Sequence, residues 1–434
     1  MMHHRALRLL LFLLWLGVAW ARGAAADIIT APGGVQVFKN EWCFCIMPTI
    51  RPDHPASLSN VAYGVALLPD GRLAVAGCEP RDRPNLGSGW VVRVQDPEGR
   101  IAWSRTFVWV NAFYQVARAI AVTPQGHVVA AGFSEFARGS PVPAHWLVGC
   151  WSSEGKPLWH DVAQSTVPVR AEAVAADQDG SIVAAGWESQ PAAVDTRWLV
   201  RRYAPGGALA WTRTFAPGPG QNAARAVAIG RDGAVYVAGG VSEGSGRGSW
   251  AVRAYERSGA LRWEHRYASA GGWMDEAYAI AVDGSGRIAL TGKVFGGADR
   301  RVDWGVRVLD SGGTVAWEQF HNGPLAFDDK AYAVAFDSCG NLVVAGYEDG
   351  DTAQKSPWDA GRWMVRFYDQ AGTVLKALHD QALGARPGGA YGLAFLNDGR
   401  VAVAGFEQTP EVGQTAWSVR VVDGPPCTKQ GALR

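Results

Sequence analysis

The chain has 434 residues, with 41 basic against 40 acidic side chains, a formal net charge of +1 and 48% hydrophobic residues. That balance offers no basic face for nucleic acid. Length alone would allow two or three domains, but the text repeats too regularly for that reading.

Arg5 and Arg8 precede an apolar stretch from Leu9 to Trp20, which is short for a membrane span, and Ala24-Ala25-Ala26 offers a small-residue cleavage site before Asp27. Residues 1–26 are therefore predicted to be a cleaved signal peptide, and the mature chain to be secreted or periplasmic. Cleavage removes Arg5, Arg8 and Arg22 and no acid, which leaves the remainder slightly acidic. No second apolar stretch follows, so no membrane span is predicted in the mature chain.

From Ala62 onward one text recurs: A-x-A-V-A, a D-x-G turn, an apolar run ending in A-G, a loop, W-x-V-R, a second Gly turn and W-x-R-T-F. The blade glycines are Gly77, Gly132, Gly186, Gly239, Gly292, Gly346 and Gly405, roughly 54 residues apart. In the fifth copy Ala277–Val282 reads as a small-residue strand and Asp283-Gly284-Ser285-Gly286 as a tight turn. Ile288–Thr291, Trp304–Leu309 and Thr314–Trp317 supply three further strands. Small residues suit a crowded inner strand, and Trp and Phe suit an outer strand where blades splay. The prediction is all-β: a seven-bladed β-propeller of four-stranded antiparallel blades, one unit over residues 27–434.

The last copy lacks its fourth strand and ends at Val422, with residues 423–434 as a tail. At the other end, Gly33–Trp42 aligns with Gly206–Phe215, aromatic on aromatic. Residues 33–42 are therefore predicted to be the outer strand of blade seven, closing the ring.

Residues 277–292 (AYAIAVDGSGRIALTG) and 331–349 (AYAVAFDSCGNLVVAGYED) resemble the SBBP-type propeller repeats of secreted bacterial and archaeal proteins. The resemblance runs from Val61 to about Val422. It implies the propeller fold and an exported protein, and no particular activity.

Features present in every blade are expected to serve the scaffold. The strand-three tryptophans (Trp90, Trp146, Trp198, Trp250, Trp304, Trp363 and Trp417) read as core between blades. The arginines three residues later (Arg93, Arg201, Arg253, Arg307, Arg366 and Arg420) read as packing on a neighbouring aromatic or pairing with a carboxylate. Gly149 interrupts that arginine series.

Loops between strands two and three, and between blades, are expected to be the longer ones and to share one face, where a ligand would bind. Glu79, Glu188, Glu348 and Glu407 fall two residues after a blade glycine, and Asp275 and Asp328 precede inner strands. The blade-six loop adds Asp349, Asp351, Trp358 and Asp359. Such oxygen ligands could hold Ca²⁺, or with Trp358 a sugar. The competing reading is a solvated loop whose acids pair with Arg. No other cofactor is predicted. G-x-S-x-G, H-E-x-x-H and paired C-x-x-C motifs are absent, and the histidines share no blade register.

Six cysteines in an exported chain point to disulfides. Topology predicts Cys43 or Cys45 with Cys78, and Cys339 with Cys427. A soft-metal site at Cys43, Cys45 and Met47 is the rival reading. The expected function is a monomeric, non-catalytic scaffold that binds a protein or carbohydrate ligand on its longer-loop face. The alternative is a carbohydrate-active enzyme using carboxylates at the channel mouth.

Overall fold

Where each strand of the repeat can run is decided by its smallest residues. The computed structural model describes residues 27–31, 35–39, 60–80, 88–96, 99–107, 112–136, 144–190, 195–244, 246–270, 275–296, 302–323, 328–349, 361–379, 388–408 and 415–426. Their strands form seven antiparallel sheets arranged as the blades of a β-propeller, six of four strands and one of five. Six blades run up and down in sequence order. In blade three, for example, Val169–Ala176, Ile182–Ser189, Thr196–Tyr203 and Leu209–Phe215 lie side by side from the axis outward. Hairpin turns between strands one and two carry a left-handed glycine, such as Gly286 at φ +88°. Blade four departs from the expected longer loop between strands two and three, with Gly244 opposite Arg247.

Every inner strand carries the same irregularity. The pairing slips by one residue between Ala62 and Gly64, and identically between Ala117 and Ala119, Ala171 and Ala173, and Ala224 and Ala226. Blades five to seven repeat it between Ala277 and Ala279, Ala331 and Ala333, and Ala390 and Gly392. This is a β-bulge, which leaves one residue out of the ladder and re-aims its side chain. The bulge also drives the preceding carbonyl onto strand two. A Cβ on Gly77 would lie 2.0 Å from the Val61 carbonyl oxygen, and the same contact measures 1.9 Å at Gly132 and 2.1 Å at Gly346. None of the blade glycines has a positive φ. Glycine stands there because no side chain fits, not because of its dihedral freedom.

The hydrophobic core is divided among the seams between blades. One seam holds Ala173, Val183, Ala185, Trp198 and Val200 of blade three with Ala224, Val227, Val235, Val237 and Val241 of blade four. The closing seam joins Ala62, Val65, Leu73, Val75 and Val91 of blade one to Ala402, Ala404, Trp417, Val419 and Val421 of blade seven. The strand-three Trp indoles stitch these seams. Trp198, Trp250, Trp363 and Trp417 each donate Nε1–H to the carbonyl that follows the next blade's glycine, at Gly240, Lys293, Phe406 and Cys78 (2.8–3.1 Å). On strand four, Trp103, Trp211 and Trp317 donate to a carbonyl in the next blade's outer turn, at Ser153, Arg257 and Gln370.

Arg93, Arg201, Arg253, Arg307 and Arg420 do what their repetition predicts, while Arg366 meets His321 Nε2 at 3.1 Å. Arg93 pairs with Glu79 at 2.6 Å and lies over the Trp417 ring of the preceding blade at 5.0 Å. Arg253 pairs with Glu264 and sits 3.9 Å from the Phe215 ring centroid. Arg420, wholly buried, pairs with Glu407 over Trp363. At Gly149 the missing arginine is replaced by the Trp151 ring, which would lie 2.5 Å from a Cβ there and packs against Phe107 at 5.5 Å. That break in the repeat is a packing solution.

The N-terminal segment closes the ring. Val35–Lys39 pairs antiparallel with Thr415–Val422 and is the fourth strand of blade seven. Two features differ from the sequence alignment. The alignment places Lys39 opposite Arg420, whereas Val37 stands there, with Phe38 opposite Val419. A shift of two residues keeps each side chain on its own face, so the pattern of aromatics does not distinguish the two registers. An unforeseen fifth strand, Asp27–Ala31, then folds back on Val35–Lys39 and covers that edge. Residues 1–26 and Asn40, Glu41 and Trp42 lie outside the described residues, as does the tail from Cys427 on. Among the described residues no helix is long and apolar enough to cross a membrane.

Substituting Gly239→Ala forces a Cβ to 2.0 Å from the Ala223 carbonyl oxygen, whereas Gly206 has nothing within 4 Å. Gly239→Ala is expected to cost about 3 kcal/mol or more in urea unfolding, and Gly206→Ala to stay within about 0.5 kcal/mol. Deleting residues 27–39 uncovers the Thr415–Val422 edge. Calorimetry should show a lower Tm by several degrees, and size-exclusion chromatography should show association through that edge.

Candidate functional site

The seven bulged residues are Tyr63, Arg118, Glu172, Arg225, Tyr278, Tyr332 and Tyr391. Six are the third or fourth residue of an inner strand, and Arg118 is the seventh of the longer Ala112–Val122, so the ring they form lies toward the end of the channel where the inter-blade connections arrive. Together with the apolar residues just below, including Val65, Ile120 and Val174, they line an axial cavity of about 410 Å³. Sequence reading missed this ring. The signal was present as the variable letter in A-x-A: on an otherwise small-residue strand, that position holds only Tyr, Arg or Glu.

The ring has two halves. On blades two to five, opposite charges alternate. Arg118 Nε donates to Glu172 Oε2 at 3.1 Å. Arg225 Nη1 donates to Glu172 Oε1 at 3.0 Å, and its Nε donates to Glu276 Oε1 at 2.7 Å. Lys293 closes the row on Glu276 Oε2 at 3.3 Å. Trp187 Nε1 adds a bond to Glu172 Oε1 at 3.1 Å. Burial works to raise the Glu172 carboxyl, but Arg225 and Arg118 outweigh it and hold it below the usual range. Burial likewise opposes the Glu276 charge, yet Arg225 and Lys293 bring its carboxyl down to about 2. Both carboxylates are thus ionised at neutral pH, and neither is a proton donor.

On blades five, six, seven and one, the wall is aromatic. Tyr278 and Tyr332 stack at 5.0 Å, Tyr332 meets Tyr391 at 4.7 Å, and Tyr391 meets Tyr63 at 5.4 Å. The Arg118 guanidinium lies over the Tyr63 ring at 4.4 Å and joins the two halves. Burial pushes the Tyr63, Tyr278, Tyr332 and Tyr391 hydroxyls above their ordinary range, so they stay neutral donors.

Of the acids singled out in the sequence, Glu79, Glu188, Glu348 and Glu407 sit on second strands, one further from the axis, and Asp275 and Asp328 lead into inner strands; these six are engaged. Glu79 meets Arg93, and burial raises its carboxyl against that arginine. Glu188 meets Arg197 at 2.7 Å, and Glu407 accepts from Arg420 and Ser418. Glu348 is 3% exposed and meets His321 at 2.8 Å and His379 at 3.4 Å. Asp275 accepts the backbone N–H groups of Ser269 (2.5 Å) and Phe295 (2.7 Å), and so ties down the connection into blade five. Asp328 lies 3.3 Å from Lys330. Asp349 ends a strand, but its side chain, like Asp351, Trp358 and Asp359, lies outside the described residues. Among the described residues no three His, Cys, Asp or Glu side chains converge as metal ligands. The partners predicted for disulfides, Cys43, Cys45 and Cys427, lie outside the described residues. Cys78 is buried at the seam, its thiol pushed up to about 12 by burial, and Cys339 lies in the first turn of blade six, its N–H donating to Asp337.

No protein-family model matches the chain, and no curated protein matches it. Solved structures that it is similar to include Sqt1 of Chaetomium thermophilum, at 14% identity over 85% of this chain and 96% of that one, with a TM-score of 0.46. A second is the α-L-arabinanase of Penicillium chrysogenum complexed with arabinobiose, at 11% over 85% and 95%, TM-score 0.46. A third is the β-propeller domain of the Trilobed protease from Pyrococcus furiosus, at 12% over 83% and 94%, TM-score 0.45. Likenesses this distant carry no argument about function.

The Glu276 charge fixes a pH dependence. Its folded-state value lies below the ordinary 4.5, so its stabilisation is fully present above about pH 4.5 and is lost as pH falls toward 2. Glu276→Gln should therefore lower stability at pH 7 by about 2–3 kcal/mol. Urea denaturation across pH 2–7 should also show a flatter acid limb than in the unsubstituted protein.

Proposed function

We propose that this chain is an exported, non-catalytic binding module that takes its ligand at the channel mouth on the face of the inter-blade connections. The observation that carries this reading is the bulge ring. It is the position where a repeated frame becomes chemically varied, and it lines a cavity within the roughly 300–1,000 Å³ range of small-molecule sites. A carbohydrate-active enzyme would need a protonated carboxylic acid beside a carboxylate. The ring's carboxylates, clamped between cations, favour binding instead. Export rests on the signal-like residues 1–26, and membership in the SBBP-type repeat family on the repeat text. A monomer, a disulfide between Cys339 and Cys427, and no Ca²⁺ requirement complete the proposal.

Calorimetric titration with a panel of neutral sugars, sugar acids, aromatic acids and short peptides tests it. Tyr332→Ala and Tyr391→Ala should keep the circular dichroism of the parent and weaken the bound ligand at least tenfold, about 1.4 kcal/mol each. A ligand indifferent to both substitutions, no binding across the panel, or turnover of a glycoside in the panel would contradict the reading.

A further inference from the structure

The charged half of the ring is built with donors to spare. Glu172 is 3% exposed and spends both oxygens on Arg118, Arg225 and Trp187. Arg118 spends only Nε on that carboxylate, and among the described residues its two amino groups meet no acceptor. Arg225 spends Nε and Nη1, which leaves Nη2 in the same position. Both guanidiniums line the cavity, with side-chain exposures of 33% and 27%. Across the row, three cations (Arg118, Arg225 and Lys293) face two carboxylates (Glu172 and Glu276), so one positive charge is left over. A guanidinium with unmatched donors in a confined site is the half of a fork that a carboxylate completes with two parallel bonds.

The opposite wall supplies the rest of the recognition. Tyr63, Tyr391, Tyr332 and Tyr278 follow one another around the axis with ring centroids 4.7–5.4 Å apart, and Arg118 reaches this wall through Tyr63. Such a surface takes a flat ring against its faces and edges, with hydroxyls at hand for a polar rim.

We propose that the channel mouth binds a small carboxylate anion carried on a six-membered ring that presents a broad face. Its carboxylate sits on the outward edge of Arg118, next to Arg225, and its ring lies against Tyr391 and Tyr332. This rests on the reading that the channel mouth is the binding site, and it adds the chemistry of the ligand. An aromatic acid and a cyclic sugar acid share that chemistry.

Calorimetric titration with 4-hydroxybenzoate and D-galacturonate, each beside its uncharged counterpart 4-hydroxybenzamide or D-galactose, separates the sources. The acid that binds identifies the ring body, and its uncharged counterpart should bind at least tenfold more weakly. Arg118→Lys keeps the charge but loses the fork. It should weaken the acid at least tenfold while the circular dichroism stays that of the folded chain, and Tyr391→Phe should weaken it with the fold intact. Equal binding of an uncharged counterpart, with dependence on Tyr332 and Tyr391, would overturn the carboxylate assignment and leave the channel as a binding site. Equal competition by sulfate would reduce the site to a nonspecific anion patch and overturn the proposal. Binding by neither acid would overturn it too. If nothing in the wider panel bound either, the channel reading would fall with it.

Discussion

A carbonyl oxygen pressed against a glycine organises this molecule. In each blade the inner strand bulges after its first alanine, and the bulge pushes the preceding carbonyl into the space a side chain on strand two would need. The glycine and the bulge require each other. With a side chain at the glycine, the two strands could pair only by straightening the bulge, and the residue now facing the axis would turn into a seam between blades. The seven-fold glycine is therefore a packing requirement whose product is the channel ring.

Around that core of small residues, large ones set the spacing of the blades. A buried Trp removes on the order of 200 Å² from water, worth roughly 5 kcal/mol at about 25 cal/mol per Å². Trp146, Trp198, Trp304 and Trp363 are completely buried. Their neighbours Trp250 and Trp417 use the indole N–H on the carbonyl beside the next blade's glycine, so the stitch between blades and the constraint within a blade meet at one place. Arg93, Arg253, Arg307 and Arg420 add a second stitch, charge-paired within one blade and stacked on the last. Blade two shows how far the arrangement bends. Trp151 takes the space of the absent arginine at Gly149, and the seam stays filled.

Much of the fold was legible because repetition averages out local ambiguity. Blade count, strand order, the closing N-terminal strand and the structural role of the Trp and Arg series all follow from periodic text. Two things were not. The register of Val35–Lys39 differs by two residues from the alignment, since apolar alternation repeats every two residues and cannot tell such registers apart. The channel ring was hidden because a bulge has no letter of its own. Strict alternation predicts that Tyr332 faces a neighbouring blade, and only the slipped pairing sends it to the axis. The acids that stood out in sequence, Glu348 and Glu407 above all, are buried partners of His321 and Arg420. Their conspicuous charge marks what the seams must neutralise.

The functional account depends on side chains at the bulge facing the channel while the alanine before each of them does not. Thiol labelling of the folded chain tests this most directly, with Ala331→Cys and Tyr332→Cys compared against the unsubstituted protein. Ala331 is 0% exposed, and Tyr332 lines the cavity. The account predicts that Tyr332→Cys reacts at native-state rates while Ala331→Cys reacts only on unfolding. Labelling of Tyr332→Cys as slow as at Ala331→Cys would place that side chain between blades and contradict the bulge ring.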